Sequence, residues 1–366
     1  MANADESNGD SGNDPVPRAS SGRDAGGGPI AVLGAGSWGT ALAIQLARAD
    51  AHGGERGVRL WGRDADAVAA MQVERCNVRY LPSAPFPDGL AAEPELESAL
   101  DGTSTVLVVV PSHAFRDTLA RLAPHARRVG EGFGLAWATK GLELESGELP
   151  HRVAAGTLPG VRRLAVLSGP TFATEVGAGL PTAMTVAANE AAFADELAAR
   201  LSGESFRVYT STDMIGVEVG GAVKNALAIA AGLSDGLGYG ANARVALINR
   251  GLREMTRFGM ALGAEESTFA GLAAMGDLVL TCTDDQSRNR RMGLALASGR
   301  GLEGAIADIG QVVEGVKAAR AVHEQALRLG VDMPIVAQVY RILHEGVAPR
   351  EAVRALMSRR SGAESG

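Results

Sequence analysis

The chain has 366 residues, of which 46% are hydrophobic and 21% charged, a globular composition long enough for about two domains. A net charge of −7 leaves no dominant basic face and so argues against a general nucleic-acid binder. Only Cys76 and Cys282 are cysteines, which excludes a disulfide framework and suits a reducing cytosol; the 6 histidines lack ligand spacing, so no metal site is expected.

Residues 1–28 are rich in Asp, Ser, Gly and Asn and nearly devoid of large apolar side chains, so an acidic disordered tail is expected there, with a short one at 359–366. No signal-peptide core and no uninterrupted apolar span of membrane length is present. The expected location is therefore cytoplasmic, without membrane insertion.

Pro29 to Leu33 is an apolar run predicted as a strand, and Thr40 to Arg48 is an amphipathic helical run. Between them stands Gly34-Ala-Gly36-Ser37-Trp38-Gly39. In that setting GxGxxG points to dinucleotide binding: Gly34 for the tight turn, Gly36 for approach of a pyrophosphate, Gly39 for close helix–strand packing. A second strand is expected at Val58–Trp61, followed by Gly62-Arg63-Asp64. Arg63 suits a 2′-phosphate and hence NADP, whereas Asp64 one residue later suits a ribose hydroxyl and hence NAD.

Further strands are predicted at Thr105–Val110, Leu135–Ala138, Leu164–Leu167, Ala183–Ala187 and Phe206–Tyr209, with helices such as Ala114–Leu122 and Glu190–Leu201 between several of them. Short apolar strands alternating with helices imply an α/β fold, a parallel sheet covered on both faces, with ligands beyond the strands' carboxyl ends. Three stretches fall at such ends. Val110-Pro-Ser-His113 offers backbone contacts or merely a helix cap; Ala138-Thr-Lys140-Gly141 places a lysine for a phosphate or carbonyl; Ser168-Gly169-Pro-Thr171-Phe-Ala173 is a turn with a hydroxyl at a helix start.

After Thr212 the strand signal ends and helices are expected at 216–233, 243–262, 268–274, 289–298, 312–329, 335–345 and 350–357. Among 35 basic residues only Lys140, Lys224 and Lys317 are lysines. Lys224, followed by Asn225, sits in the apolar helix 216–232, where a lysine either titrates near neutral pH or snorkels to water. A loop is expected at 275–291, with Asp277 among apolar residues as a partner for a lysine. At its end Ser287, Arg288 and Asn289 present hydroxyl, guanidinium and amide donors suited to a phosphate, while Arg290 and Arg291 read better as a solvated basic face. Cys282 reads as a small buried side chain, and Glu314 as either a cofactor contact or a helix-start acid.

The segments GAGSWGTALA, LWGRD, VPSH, ATKGLE, SGPTFATEV, GVEVGGAVKNALAIAAG, GDLVLTCTDDQSRNRRMG and VVEGV occur in this order over about residues 30–345. Together they resemble the bacterial-type NAD(P)-dependent glycerol-3-phosphate dehydrogenases. The resemblance implies a Rossmann-type doubly wound parallel sheet at 29–212, followed by an all-α substrate domain at 213–358 like the C-terminal domain of 6-phosphogluconate dehydrogenase. It implies interconversion of dihydroxyacetone phosphate and sn-glycerol 3-phosphate for phospholipid synthesis, with NADP or NAD as cofactor; Arg63 makes NADPH somewhat preferred. It makes Lys224 the proton acceptor, supported by Asp277, Lys140 and Asn225. Substrate contacts fall on Lys140, Gly169, Thr171, Lys224, Asp277, Ser287, Arg288 and Asn289. Cofactor contacts, beyond the three glycines, fall on Ser37, Trp38, Arg63, Tyr80, Lys140, Ala173, Arg288, Val312 and Glu314. A homodimer through the apolar runs 226–233 and 335–343 is one expectation, and core packing explains the same runs. The rival readings are a β-hydroxyacid dehydrogenase acting on a carboxylate and a catalytically silent NADP-binding sensor.

Overall fold

Short apolar and β-branched runs become strands, and the amphipathic stretches between them become helices, in the computed structural model, which describes residues 28–53 and 57–358. The predicted tails lie, Gly28 apart, outside the described residues. The first half alternates β1 (Ile30–Leu33), α1 (Ser37–Gly53), β2 (Val58–Trp61), α2 (Ala65–Glu74), β3 (Leu90–Glu93), α3 (Leu96–Leu100), β4 (Thr105–Val108) and α4 (Ser112–Val129). It continues with β5 (Gly134–Trp137), α5 (Pro150–Thr157), β6 (Arg163–Ser168), α6 (Ala173–Ala178), β7 (Thr182–Ala188), α7 (Ala191–Leu201) and β8 (Phe206–Ser211).

These strands make one sheet in the order β3-β2-β1-β4-β5-β6-β7-β8. The sequence direction reverses between β1 and β4, which leaves a crevice above their carboxyl ends. Alternation places Ile30 and Val32 in the core on one face and Ala31 and Leu33 in the core on the other. The sheet departs from the all-parallel expectation at one ladder, where β7 runs antiparallel to β6. The link between them holds only the six-residue α6, too short to carry the chain back across a face, so β7 enters from the carboxyl end. The eleven-residue α7 does make that return, and β8 is parallel to β7.

The second half is helical: α8 (Met214–Gly236), α9 (Gly240–Leu262), α10 (Asp277–Thr283), α11 (Arg288–Ala297), α12 (Leu302–Ile309), α13 (Glu314–Leu329), α14 (Pro334–His344) and α15 (Pro349–Met357). The stretch expected as a loop, 275–291, is largely helical, because Leu272–Gly276 is a wide π turn running directly into α10. Helix α8 is the axis on which the others pack. It is long and apolar enough to cross a membrane by length and composition, yet 94% of its apolar window is buried inside the fold. Its Asp213 cap accepts from Gly216 N at 2.8 Å and also holds Thr268 Oγ1 at 2.6 Å. The runs considered for a dimer surface are spent in this core: Ala226–Leu233 is wholly buried, as are Ile335, Val336, Val339 and Leu343. Core packing is therefore the reading that holds for them.

Candidate functional site

The turn after β1 combines a closed floor with an open roof. Gly34 has φ 125°, in the region that favours glycine, and any side chain there would run into the Val109 carbonyl. A Cβ on Gly39 would strike the Gly34 carbonyl oxygen, whereas nothing lies within 4 Å of a Cβ on Gly36. The open space lies at the start of α1, whose first N–H groups have no acceptor within the helix. Asn77 braces the turn from below, donating to the Ala35 carbonyl at 3.1 Å and to Thr40 Oγ1 at 2.8 Å. The cradle thus fits a pyrophosphate approaching the backbone.

Ser37 and Trp38 form the first turn of α1, with the Trp38 ring partly packed into the core. Beyond β2, Arg63 is exposed and has no acidic partner among the described residues. Asp64 caps α2 through Oδ1, accepting from Ala67 N at 3.1 Å, and its side chain stays exposed. Tyr80 lies in the turn after α2 with the Arg79 guanidinium 5.1 Å over its ring.

Lysines 140 and 224 converge on one carboxylate from opposite halves of the chain. Lys140, three residues past β5, donates to Asp277 Oδ2 at 2.7 Å, and Lys224, on α8, donates to Asp277 Oδ1. Lys224 Nζ also reaches Thr281 Oγ1 at 3.0 Å. Asp277 and Thr281 are four apart on α10, so one helical turn stacks them over the ammonium. The Asp277 side chain is 1% exposed. Burial by itself would raise its pKa, but the two ammonium groups overcome that and hold it below the ordinary carboxylate range. Burial lowers the pKa of Lys224 to about 8, with Asp277 opposing the fall and Lys140 adding to it. The result is a buried amine able to exchange a proton near neutral pH, between two fixed charges.

Beside this cluster, Asn289 Nδ2 donates to Asn225 Oδ1 at 2.9 Å, and Asn289 Oδ1 accepts from Gly315 N at 2.9 Å. Asn225 therefore points along α8 towards α11 and α13, and does not orient Lys224 as expected. Adjacent helix positions are about 100° apart, so the two side chains diverge. Asn225 Nδ2 and Ser168 Oγ are buried with no hydrogen-bond partner among the described residues. Ser287 caps α11, accepting from Arg290 N at 3.2 Å, and Arg288 Nη1 donates to the Val312 carbonyl at 3.0 Å. Glu314 opens α13 and Ala173 opens α6. Thr171 Oγ1 folds back onto the Gly169 carbonyl at 3.2 Å. Arg290 is no part of a solvated basic face: it is buried and paired with Asp235, and with Asp285 at 2.9 Å. Cys282 is buried as expected, its thiol pKa pushed up to about 12 by burial.

A small cleft lies where the two halves meet, lined on one wall by Pro111, Ser112, His113, Lys140 and Gly141 and on the other by Val312, Glu314 and Lys317. Farther along, Gln286 ties the halves together, meeting Thr174 Oγ1 at 2.7 Å and Glu175 at 3.0 Å. Sequence reasoning missed two contributors. Thr281 carried a signal in its spacing from Asp277, legible only once 277–283 is known to be helical. Glu218, buried on α8, accepts from Trp137 Nε1 at 3.0 Å and His151 N at 2.9 Å, and meets His151 Nδ1 at 2.5 Å. It fastens α8, which bears Lys224, to the end of β5, which leads to Lys140. No local pattern marks such a contact.

Two family models match the chain: the NAD-dependent glycerol-3-phosphate dehydrogenase N-terminus over residues 29–194 and its C-terminus over residues 213–354. The chain is 56% identical over 331 residues to a glycerol-3-phosphate dehydrogenase [NAD(P)+] of Thioalkalivibrio sulfidiphilus, covering 90% of this chain and 97% of the relative. It is 54% identical over 336 residues to the protein of the same name from Pseudoalteromonas translucida, covering 92% and 98%. The crystal structure of glycerol-3-phosphate dehydrogenase from Coxiella burnetii superposes with a TM-score of 0.85 at 50% identity, covering 91% of this chain and 99% of that one.

Proposed function

From the premise that the chain belongs to the NAD-dependent glycerol-3-phosphate dehydrogenase family, we propose that it interconverts dihydroxyacetone phosphate and sn-glycerol 3-phosphate with NAD(P), Lys224 serving as the general acid–base. The observation that carries this reading is the buried Lys224–Asp277–Lys140 cluster, whose Lys140 also lines the cleft. NAD(P)H, when bound, supplies the hydride.

The chain's own residues do the rest. Residues 29–212 bind the cofactor, with the Gly34–Gly39 turn receiving the pyrophosphate, and residues 213–358 bind the substrate. Arg288, Asn289 and the Ser287-capped start of α11 hold the triose phosphate group, to which the spare Asn225 amide hydrogen adds a donor. Anchoring the phosphate fixes the C2 carbonyl, turning remote binding energy into orientation. Lys224 gives its proton to the oxygen on C2 in reduction and takes it back in oxidation. Lys140 and Asp277 set the field in which that proton moves, and Thr281 fixes the rotamer of the amine.

NADPH is the preferred cofactor in this reading, since the exposed Arg63 guanidinium at the end of β2 suits a 2′-phosphate. A homodimer, a cytoplasmic location and a supply of glycerol 3-phosphate to phospholipid synthesis complete it; sedimentation tests the first. The decisive assay follows absorbance at 340 nm with dihydroxyacetone phosphate and NADPH or NADH in parallel. Turnover faster with NADPH, and a loss of that advantage in Arg63→Ser, supports the whole reading. Turnover with 6-phosphogluconate or another hydroxyacid instead would replace it.

A further inference from the structure

The cleft holds a cation that no step above uses. Lys317 stands one turn into α13 and lines the cleft with Lys140 and Glu314, facing Ser112 and His113 on the opposite wall. Its Nζ lies 3.4 Å from His113 Nδ1, in the first turn of α4. Among the described residues no carboxylate lies within ion-pair distance of Lys317, whereas Lys140 and Lys224 are both engaged by Asp277.

The sequence adds a second observation. The chain has 35 basic residues and only three lysines; Lys140 and Lys317 line this cleft, and Lys224 lies buried behind Lys140 on their shared partner Asp277. Arginine supplies the positive charge everywhere else, so a compact ammonium on a flexible stem is a feature of the cleft and not of the surface at large. The ring of His113 lies within reach of the same charges. Its pKa is held below the ordinary value by partial burial and then by the positive charges of Lys317 and Arg63, against Glu314. Lys317 on α13 and Arg63 after β2 thus both act on His113, with Glu314 opposing them. Helix α4 follows β4, the neighbour of β1 at the point where strand order reverses, and that is where a dinucleotide lies.

We propose that Lys317 is a cofactor-binding residue, its ammonium leaving His113 to contact a phosphate oxygen of the dinucleotide and so drawing the helical wall onto a cofactor seated on the sheet. The proposal rests on the cofactor reading above. A neutral imidazole nitrogen is a weaker acceptor than a phosphate, so the exchange is favourable once the anion is present. The contact belongs to the cofactor and not to the triose phosphate, whose donors sit at the start of α11.

Amine footprinting of the full chain tests it, because three lysines make every modified side chain unambiguous. Acetylation with a soluble succinimidyl acetate, read by peptide mass spectrometry, is expected to mark exposed Lys317 and spare buried Lys224. NADPH should slow labelling of Lys317 about fivefold or more, and dihydroxyacetone phosphate alone should not. In parallel, fluorescence titration should show the Kd for NADPH rising about tenfold in Lys317→Gln, the size of one charge-assisted contact, and restored to within about threefold in Lys317→Arg. Weakening of both NADPH and NADH binding places the contact on the pyrophosphate, and weakening of NADPH alone places it on the 2′-phosphate. Labelling indifferent to NADPH, protection by the triose phosphate instead, or an unchanged Kd in Lys317→Gln overturns the proposal. If the unaltered chain binds neither cofactor, the cofactor reading falls first and this inference with it.

Discussion

Replacing Asp277 with asparagine keeps the shape of the side chain and removes the one charge shared by Lys140 and Lys224. In the native arrangement burial has already brought Lys224 down to about 8, against the pull of Asp277 in the other direction. An ion pair with charge centres roughly 4 Å apart in an effective dielectric near 20 is worth about 4 kcal/mol, or about three pKa units. Water entry and rearrangement take up part of that, so a fall of about one to two units is the working figure, with Lys140 still pushing downward. The Lys224 titration should therefore move from about 8 to on the order of 6–7.

The sign of the effect on rate follows from the chemistry. Reduction of the ketone needs protonated Lys224, so kcat/KM in that direction declines as pH rises through its pKa. The assay is a pH–rate profile for dihydroxyacetone phosphate at saturating NADPH, from pH 5.5 to 9.5. The native enzyme should lose activity above about pH 8 and Asp277→Asn one to two units lower. Glycerol 3-phosphate oxidation should show the complementary rise. Breaking a buried ion pair should also cost about 3 kcal/mol of stability, readable by urea denaturation. A folded Asp277→Asn whose profile still breaks at pH 8 or above would refute the electrostatic role given to this carboxylate.

Lys224→Ala should lower kcat by about 10²–10⁴ while leaving the Kd for NADPH within twofold, since the amine serves proton transfer and not cofactor binding; stopped-flow turnover and a binding titration separate the two. Alanine at Gly39 must displace the Gly34 carbonyl, so it should destabilise by about 2 kcal/mol or more in chemical denaturation. Alanine at Gly36 meets open space and should leave stability within about 0.5 kcal/mol while weakening NADPH binding at least tenfold, because the methyl occupies the anion's path. Glu218→Ala should cost about 3 kcal/mol, since it strands the buried Trp137 N–H and two His151 groups, and should raise the KM for the triose phosphate by loosening β5 from α8. Glu218→Gln, which keeps an acceptor for Trp137, should recover most of both.

Local signals carried the first half of this molecule. The strand–GxGxxG–helix pattern announced β1, its turn and α1, because the left-handed Gly34 and the crowded Gly39 are demands that only glycine meets. Lysine scarcity singles out Lys224, and the apolar setting of Asp277 marks it as a partner for a lysine. Strand β3 is not legible in the sequence because Leu-Ala-Ala-Glu has little β-forming character and pairs only through its neighbour β2. The run Asp-Leu-Val-Leu-Thr-Cys-Thr has weak helix formers, and packing against α8 overrides them to make α10. The reversal of β7, the turning of Asn225 away from Lys224 towards Asn289, and the clasp of Glu218 on Trp137 each join residues far apart in sequence. Residue type and short spacing can name the chemical groups a site requires. Which of them meet at one point depends on long-range packing, and here that packing brings two lysines from opposite halves of the chain onto a single carboxylate.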